Sequence, residues 1–426
     1  MKSPVPKVLV DLLGRSLVGH VVAAARPLRP RRLAVVAGKH LDAIRASFAA
    51  EPDVRFALQA DPKGTGHAVR CGLAAIPKAA GDLFVLCGDV PLLRSETLRL
   101  MLRTHRRAKA DVTALTAVVP DPSGLGRIVR DARGGFVRIV EEKDADPAVK
   151  AIREINAGVY VFDASKLRRY LALLQPNNAQ GEYYLTDVLE LALKAKGRVM
   201  LVQADDPTET SGINRPSELL RAQGLLHERL VMAYAESGVR IVHPATTHIE
   251  VDVTIGAGSV IEPFVVLRKG VRIAARCRVG PFAHLRHGTV LEEGADVGNF
   301  VEVKASRLGP GALARHLTYL GDAEVGAAAN IGAGVITANF DGKMKHRTRI
   351  GAKAFIGSGT VLVAPVSIGA GATTGAGAVV LKEQDVAPGS VVVGVPARPL
   401  SGGRKTKDER KPPVESRRSR ETRRRR

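Results

Sequence analysis

The chain has 426 residues, 64 of them Lys or Arg against 42 Asp or Glu, giving a formal charge of +22, with three Cys and no Trp. That length accommodates two or three domains with separate cores. Cys71, Cys87 and Cys277 are too few and too scattered for a disulfide framework or a zinc site, and no stretch approaches the roughly 20 apolar residues of a membrane helix. No signal-peptide core follows Met1, so a cytoplasmic location is expected. The charge is unevenly spread: after Ser401 twelve basic residues face four acidic ones, so the tail contributes +8 and the body +14. A basic body suits small anionic substrates. The tail, poor in apolar residues, reads as a disordered solvated extension, with nucleic-acid or lipid binding the lesser reading.

In chain order, Leu13 to Ala25 reads as a helix, Leu33 to Ala37, Phe56 to Gln59 and Leu83 to Cys87 as strands, and Glu96 to Arg107 as a helix. Val112 to Val119 and Val159 to Phe162 are further strands, Tyr184 to Lys196 a helix, and Val199 to Gln203 a strand. This alternation predicts an α/β, Rossmann-like domain with a mostly parallel, doubly wound sheet that binds ligands at the carboxyl ends of its strands. A helix from Pro216 to about Glu236, beginning beside Asn214, reads as a spacer.

From Ile249 an aliphatic residue recurs every sixth position: Ile249, Ile255, Ile261, Leu267, Ile273, Val279, Leu285, Leu291, Val297, Val303. The register resumes as Ile350, Ile356, Leu362 and Ile368, with Val380 in phase. A period of six fits neither a helix nor simple strand alternation and predicts a parallel β-helix whose aliphatic positions share one stacked core. Gly or Ala at the corners would relieve the backbone there. The register slips near Leu308 and breaks over Ala338 to Arg349, so that insertion is expected to loop outward. The expected domains are 1–214, a linker helix 215–238, the β-helix 239–400 and the tail 401–426.

Two loops of the first half carry nucleotide chemistry. Gln59-Ala60-Asp61-Pro62-Lys63-Gly64-Thr65-Gly66-His67-Ala68 places glycines and a Thr between a strand and a helix, where the backbone can approach a phosphate closely. Cys87-Gly88-Asp89-Val90-Pro91 sets Asp89 just past a strand, where a hard carboxylate can hold Mg2+. Taken alone, the first reads more readily as an ordinary strand-to-helix turn and Asp89 as an N-cap or turn residue.

These loops, Gly124-Leu125-Gly126-Arg127, Val140-Glu141-Glu142-Lys143-Asp144 and Asn178 to Tyr184 closely resemble one family over most of the chain. Further matches are Gly280 to Arg286, Val297 to Glu302, His316-Leu317-Thr318-Tyr319-Leu320-Gly321-Asp322-Ala323-Glu324 and Asn330 to Gly334. The family is the bacterial bifunctional enzyme that fuses N-acetylglucosamine-1-phosphate uridyltransferase to glucosamine-1-phosphate acetyltransferase. The resemblance implies a left-handed β-helix, a homotrimer with sites between neighbours, and UTP, acetyl-CoA and sugar phosphates as substrates. The product would be UDP-N-acetylglucosamine for cell-wall and outer-membrane precursors. By resemblance, Lys7, Gln59, Gly64 and Thr65 contact the nucleotide, Asp89 and Asn214 hold Mg2+, and Gly126, Glu141 and Asn156 seat the sugar. In the second half His316 is the general base and Glu302 orients or assists it. Arg286 and Lys304 hold the sugar phosphate, Tyr319 and Asn330 bind the sugar or its phosphate, and Asn339, Phe340, Ser358 and Ala376 line the acetyl-CoA channel. No Cys lies in the second-half segments, so direct acetyl transfer fits.

Three departures stand out. Phe340 occupies a position usually held by Tyr, which removes a hydroxyl. Gly394 stands where some relatives carry an Arg for the CoA phosphates, with Arg398 or the tail as a substitute. Met1 aligns with the last residue of a motif of the type Leu-Ala-Ala-Gly-x-Gly-Thr-Arg-Met, so the strand and loop that open the family's sheet are not in the sequence. The neighbours of that strand are expected to lack backbone partners and apolar cover. Either uridyl transfer is damaged, leaving a monofunctional acetyltransferase, or translation begins upstream; the intact downstream motifs favour the second. A different class of reading is a non-catalytic trimeric solenoid with a polyanion-binding tail.

Overall fold

A computed structural model describes residues 5–400. Met1 and the basic tail, with the readings placed on them, lie outside the described residues. The chain divides into two compact units, one reaching Glu236 and including His248–Asp252, the other comprising Ser237–Thr247 and the residues from Val253 on. Among the described residues no helix is long and apolar enough to cross a membrane.

In the first unit, β1 (Leu33–Ala37) and β2 (Val54–Leu58) pair in parallel as a two-stranded sheet. The main sheet has six strands: β3 (Asp82–Val85), β4 (Val112–Val118), β5 (Arg127–Arg130), β6 (Phe136–Val140), β7 (Glu154–Asp163) and β8 (Val199–Gln203). Their order is β8-β4-β7-β5-β6, with β3 also on β7. Helices α1 (Leu17–Ala25), α2 (Leu41–Ser47), α3 (Thr65–Ala75), α4 (Ser95–Ala108), α5 (Ala164–Leu173), α6 (Asp187–Lys194) and α7 (Pro216–Glu236) complete it. β4 is buried on both faces, as its run of Val, Thr, Ala and Leu dictates. α4 buries Leu98, Met101 and His105 as one stripe of a helix whose other positions are mostly polar. The sheet departs from the mostly parallel expectation, because β7 runs antiparallel to β3, β4 and β5. The β5–β6 hairpin and the crossover 141–153 return the chain to the sheet in the sense opposite to β4.

Two edges stay open. β1 pairs only with β2 and β3 only with β7 among the described residues. All of β1 and Leu83 to Val85 remain half-exposed although apolar.

The second unit is a parallel β-helix. Short strands stack in three parallel ladders, with Arg278 on Val260, His284 on Val266 and Val290 on Arg272. Every residue of the six-residue register is buried, none more than 8% exposed. The place between Ile368 and Val380 is filled by Thr374, whose hydroxyl accepts from the Gly357 amide at 3.0 Å. The register does not stop at Val303. Arg307 sits on Val290 and Tyr319 on Glu302, one residue sooner than in the earlier coils, so Leu308, Ala314, Leu320, Val325 and Ile331 stay inside. The break after Ala338 is an outward hairpin with a Phe340–Lys345 bridge and exposed Phe340 and Met344. Asp341 caps it, accepting from Lys343 N at 2.8 Å and Met344 N at 2.7 Å. The Met344 amide bond, then His346, hold this carboxyl below the usual range.

Gly or Ala takes many left-handed corners, among them Gly258, Gly270, Gly294, Gly377, Ala305 and Ala328, but one row is different. Phe264, Phe282, Phe300 and Leu317 occupy left-handed positions with φ of 60, 55, 54 and 48°. The rings offset the backbone cost by stacking, with centroids 4.8 and 4.9 Å apart. Glycine is also required for close approach: a Cβ at Gly298 or Gly351 would strike the backbone of the next coil.

Candidate active sites

In the first unit the Gly-rich loop ends at the N-terminus of α3, whose free amides favour an anion. Gly64 has φ 96° and no room for a Cβ against the Tyr183 backbone, so glycine is required on both counts. The loop is clamped to the segment before α6: Gly66 N donates to Tyr183 O at 2.8 Å, and Leu185 N to Thr65 Oγ1 at 3.0 Å. Gln59 donates to Gly64 O at 3.1 Å.

Asp89 follows β3, and Ile213 N donates to its carbonyl at 2.9 Å, which brings Asn214 alongside. Lys7 Nζ lies 2.6 Å from Asp89 Oδ2 and 2.8 Å from Asn214 Oδ1. Two hard oxygen donors therefore converge on one cationic point, a donor set of the kind Mg2+ takes. Here the cation is the lysine ammonium. Burial pushes the Cys87 thiol up to about 11, away from the thiolate form.

A third group lies at β5, β6 and β7. Asn156 N donates to Gly126 O at 2.8 Å, and a Cβ at Gly126 would come within 3.2 Å of Glu141 Oε2. Burial raises the Glu141 carboxyl above the ordinary glutamate range; a bond from Thr186 opposes this, and the charges of Asp144 and Asp187 add to it. Thr65, Gly88, Glu141 and Asn156 line one cavity of about 970 Å³. Lys7, Gln59, Gly64, Gly126, Asp89 and Asn214 do not line it.

In the second unit one edge of the β-helix carries His316, Ser358 and Ala376, all exposed. Its coils are tied by Leu317 N to Asn299 O, Gly334 N to His316 O, Gly359 N to Ala333 O and Gly377 N to Ser358 O. Beyond His316 the edge is made of Ala, Ser and Gly, leaving space along it. The adjoining face carries Arg286, Glu302, Lys304 and Tyr319 on stacked strands. Arg286 binds Glu302 at 2.7 Å, and Lys304 lies 3.4 Å from Asp322. Asn330 sits on the strand stacked on Leu313, one face earlier. Asn339 is buried and donates to Asp322, whereas Phe340 is exposed. Gly394 has φ 90° and, among the described residues, the Arg398 guanidinium reaches Ala397 O at 3.5 Å.

Lys345 escapes the sequence reading. The outward hairpin brings it against Lys304, and through that contact first it is driven below the ordinary lysine range, with Arg286 adding repulsion. Its only sequence signal is a basic cluster, Lys343-Met344-Lys345-His346-Arg347, inside the insertion. Arg286 and Lys304 each carry a carboxylate partner, Glu302 and Asp322, so the face is a mixed cluster of charge. Cys277 is buried in the β-helix, its Sγ 3.1 Å from Glu292 O.

The family model for MobA-like NTP transferase domains matches residues 1–147, and that for bacterial transferase hexapeptides (six repeats) matches residues 252–285 and 347–382. Among curated proteins, the chain is 44% identical to the bifunctional protein GlmU of Streptomyces avermitilis over 92% of this chain and 89% of that protein. It is 41% identical to that of Trichlorobacter lovleyi, covering 92% of each chain. For the Rubrobacter xylanophilus protein of the same name, identity is 42% over 93% of this chain and 91% of the other.

Proposed function

The chain belongs to the family of bifunctional GlmU proteins, transferases that pair acetyl transfer to glucosamine 1-phosphate with uridylyl transfer to N-acetylglucosamine 1-phosphate, and from that premise we propose which residues carry each reaction. The observation that carries the acetyltransferase reading is His316 on an open edge beside the Arg286, Lys304 and Lys345 cluster. A sugar phosphate bound there relieves the repulsion between the two lysines and presents its amine at the edge. His316 takes the amine proton as the nitrogen attacks the acetyl carbonyl, and CoA leaves as thiol. Tyr319 and Asn330 orient the sugar, Glu302 holds Arg286, and Asn339 holds Asp322. The pantetheine arm runs past Ser358 and Ala376, with Phe340 at its side. Lys345→Ala is expected to raise KM for glucosamine 1-phosphate about 10-fold with a smaller change in kcat, read by steady-state CoA release. An unchanged KM would remove Lys345 from the site.

In the first unit the sugar phosphate displaces pyrophosphate from the α-phosphorus of UTP in line, a reaction governed by positioning and charge neutralisation. Asp89 and Asn214 would hold Mg2+, which supplies countercharge to the triphosphate. Lys7 offers its ammonium to the same phosphates, Gln59, Gly64 and Thr65 bind the nucleotide, and Gly126, Glu141 and Asn156 seat the sugar. Glu141 accepts a sugar hydroxyl bond more strongly as the carboxylate than as the neutral acid. Because burial raises its pKa, protonation on acidification sets in above the ordinary glutamate range and KM for N-acetylglucosamine 1-phosphate rises there. Glu141→Gln should flatten that rise, and an identical pH profile in the variant would refute the role. We place the enzyme in the cytoplasm, where UTP and acetyl-CoA are made, as a homotrimer. The exposed row Phe264, Phe282, Phe300 and Leu317 on the His316 edge supports a neighbour there.

A further inference from the structure

Behind the Gly-rich loop runs a chain of hydrogen bonds with a fixed polarity. The Gln59 main chain is anchored just past β2, its N donating to Ala37 O at 2.9 Å. Its side-chain amide nitrogen lies 3.1 Å from Gly64 O and 3.2 Å from Nδ1 of His67, a residue in the first turn of α3. His67 Nε2 in turn lies 3.7 Å from Cys71 Sγ, one helical turn on. A carbonyl oxygen only accepts, so the amide nitrogen of Gln59 is the group that must face Gly64. An amide nitrogen only donates, so His67 Nδ1 must accept, and the ring hydrogen sits on Nε2, directed at the sulfur. Both N–H bonds of the Gln59 amide are then spent, and Oε1 is what the side chain offers to a ligand.

We propose that His67 is a positioning residue that locks the Gln59 amide with its oxygen outward, and thereby sets the preference of the site for a uracil-type base over cytosine. The inference rests on the proposed nucleotide contact of Gln59. Uracil carries a ring N–H between two carbonyls, which donates to an outward acceptor. Cytosine carries a bare ring nitrogen at that place, whose lone pair meets the oxygen. A flipped amide would suit cytosine, but it would turn Oε1 toward Gly64 O and lose the bond to His67. Gly64 and His67 thus hold one orientation together, and the Cys71 sulfur keeps the ring hydrogen on the far nitrogen. A polar group fixed for one partner rejects the other, because it is then left unpaired.

The test is the ratio of Kd values for UTP and CTP, each with Mg2+, measured by titration calorimetry on the full chain and its variants. The parent chain should prefer UTP by about 100-fold or more. His67→Leu keeps the bulk but offers no acceptor, and should cut that preference about 10-fold, the loss of one hydrogen bond. His67→Asn can place Oδ1 near the position of Nδ1 and should return the preference to within about threefold of the parent, which a purely structural role would not produce. Circular dichroism checks that each variant is folded, and His67→Ala replaces the leucine variant if that one is not. Gln59→Leu removes the acceptor itself and should weaken UTP binding about 10-fold or more. An unchanged preference in His67→Leu, or an asparagine variant no better than the leucine one, overturns the inference while the Gln59 contact stands. Undiminished UTP binding in Gln59→Leu, or no UTP binding by the parent chain, overturns the nucleotide reading and the inference together.

Discussion

His316→Ala is expected to lower kcat for acetyl transfer by about 10²- to 10⁴-fold, the usual contribution of a positioned general base, while pyrophosphate release stays unchanged. The imidazole is exposed on the β-helix edge, and the fold grips this position through its main chain. His316 O accepts from Thr318 Oγ1 at 2.7 Å and from Gly334 N at 3.3 Å. Removing the side chain leaves those bonds and the buried register intact, so the loss is chemical and not structural. CoA release measured with a thiol reagent at saturating acetyl-CoA and glucosamine 1-phosphate checks it. Activity within twofold of the parent chain would move the base elsewhere.

Asp89→Ala is expected to lower uridylyl transfer by about 10²- to 10³-fold or more with CoA release unchanged, on the scale of losing one preorganised electrostatic group at a reacting centre. Asp89 supplies the carboxylate oxygen bonded to Lys7, which also reaches Asn214 Oδ1, while Glu218 is engaged by the Asn214 and Arg215 amides at 2.6 and 2.9 Å. Its pair with Lys7 is partly exposed, so breaking it costs only about 0–1 kcal/mol of stability. Asp89→Asn keeps an oxygen but loses the charge and should fall between the two. Pyrophosphate release in a coupled assay gives the ranking, and equal rates for all three chains would dismiss the Asp89 role.

The β-helix was legible because its period is a packing constraint: each inward position stacks on the same position one coil away, so Ile261, Val279 and Val297 form a column. The register through Leu308 to Ile331 was hidden because contracted coils keep the column in space while breaking the count in sequence. Thr374 was hidden because a buried hydroxyl satisfied by Gly357 packs like an aliphatic group. In the first unit the strands from Leu33 and Val199 stood out as short β-branched runs, whereas the antiparallel sense of β7 depends on a hairpin that no local pattern announces. Single site residues such as Asp89, Asn214 and His316 carry no signal of their own; the family motifs pick them out. The structure then shows Lys7 joining Asp89 and Asn214 across the fold, and His316, Ser358 and Ala376 sharing one edge. Lys345 was missed because its place follows from the path of an irregular hairpin.

The account stands most directly on both half-reactions measured in one preparation of this chain. CoA release from acetyl-CoA and glucosamine 1-phosphate, and pyrophosphate release from UTP, Mg2+ and N-acetylglucosamine 1-phosphate, are both predicted. His316→Ala should remove only the first and Asp89→Ala only the second. CoA release with no pyrophosphate release would contradict it and leave a chain with one activity, and loss of both reactions in either variant would contradict the independence of the two sites.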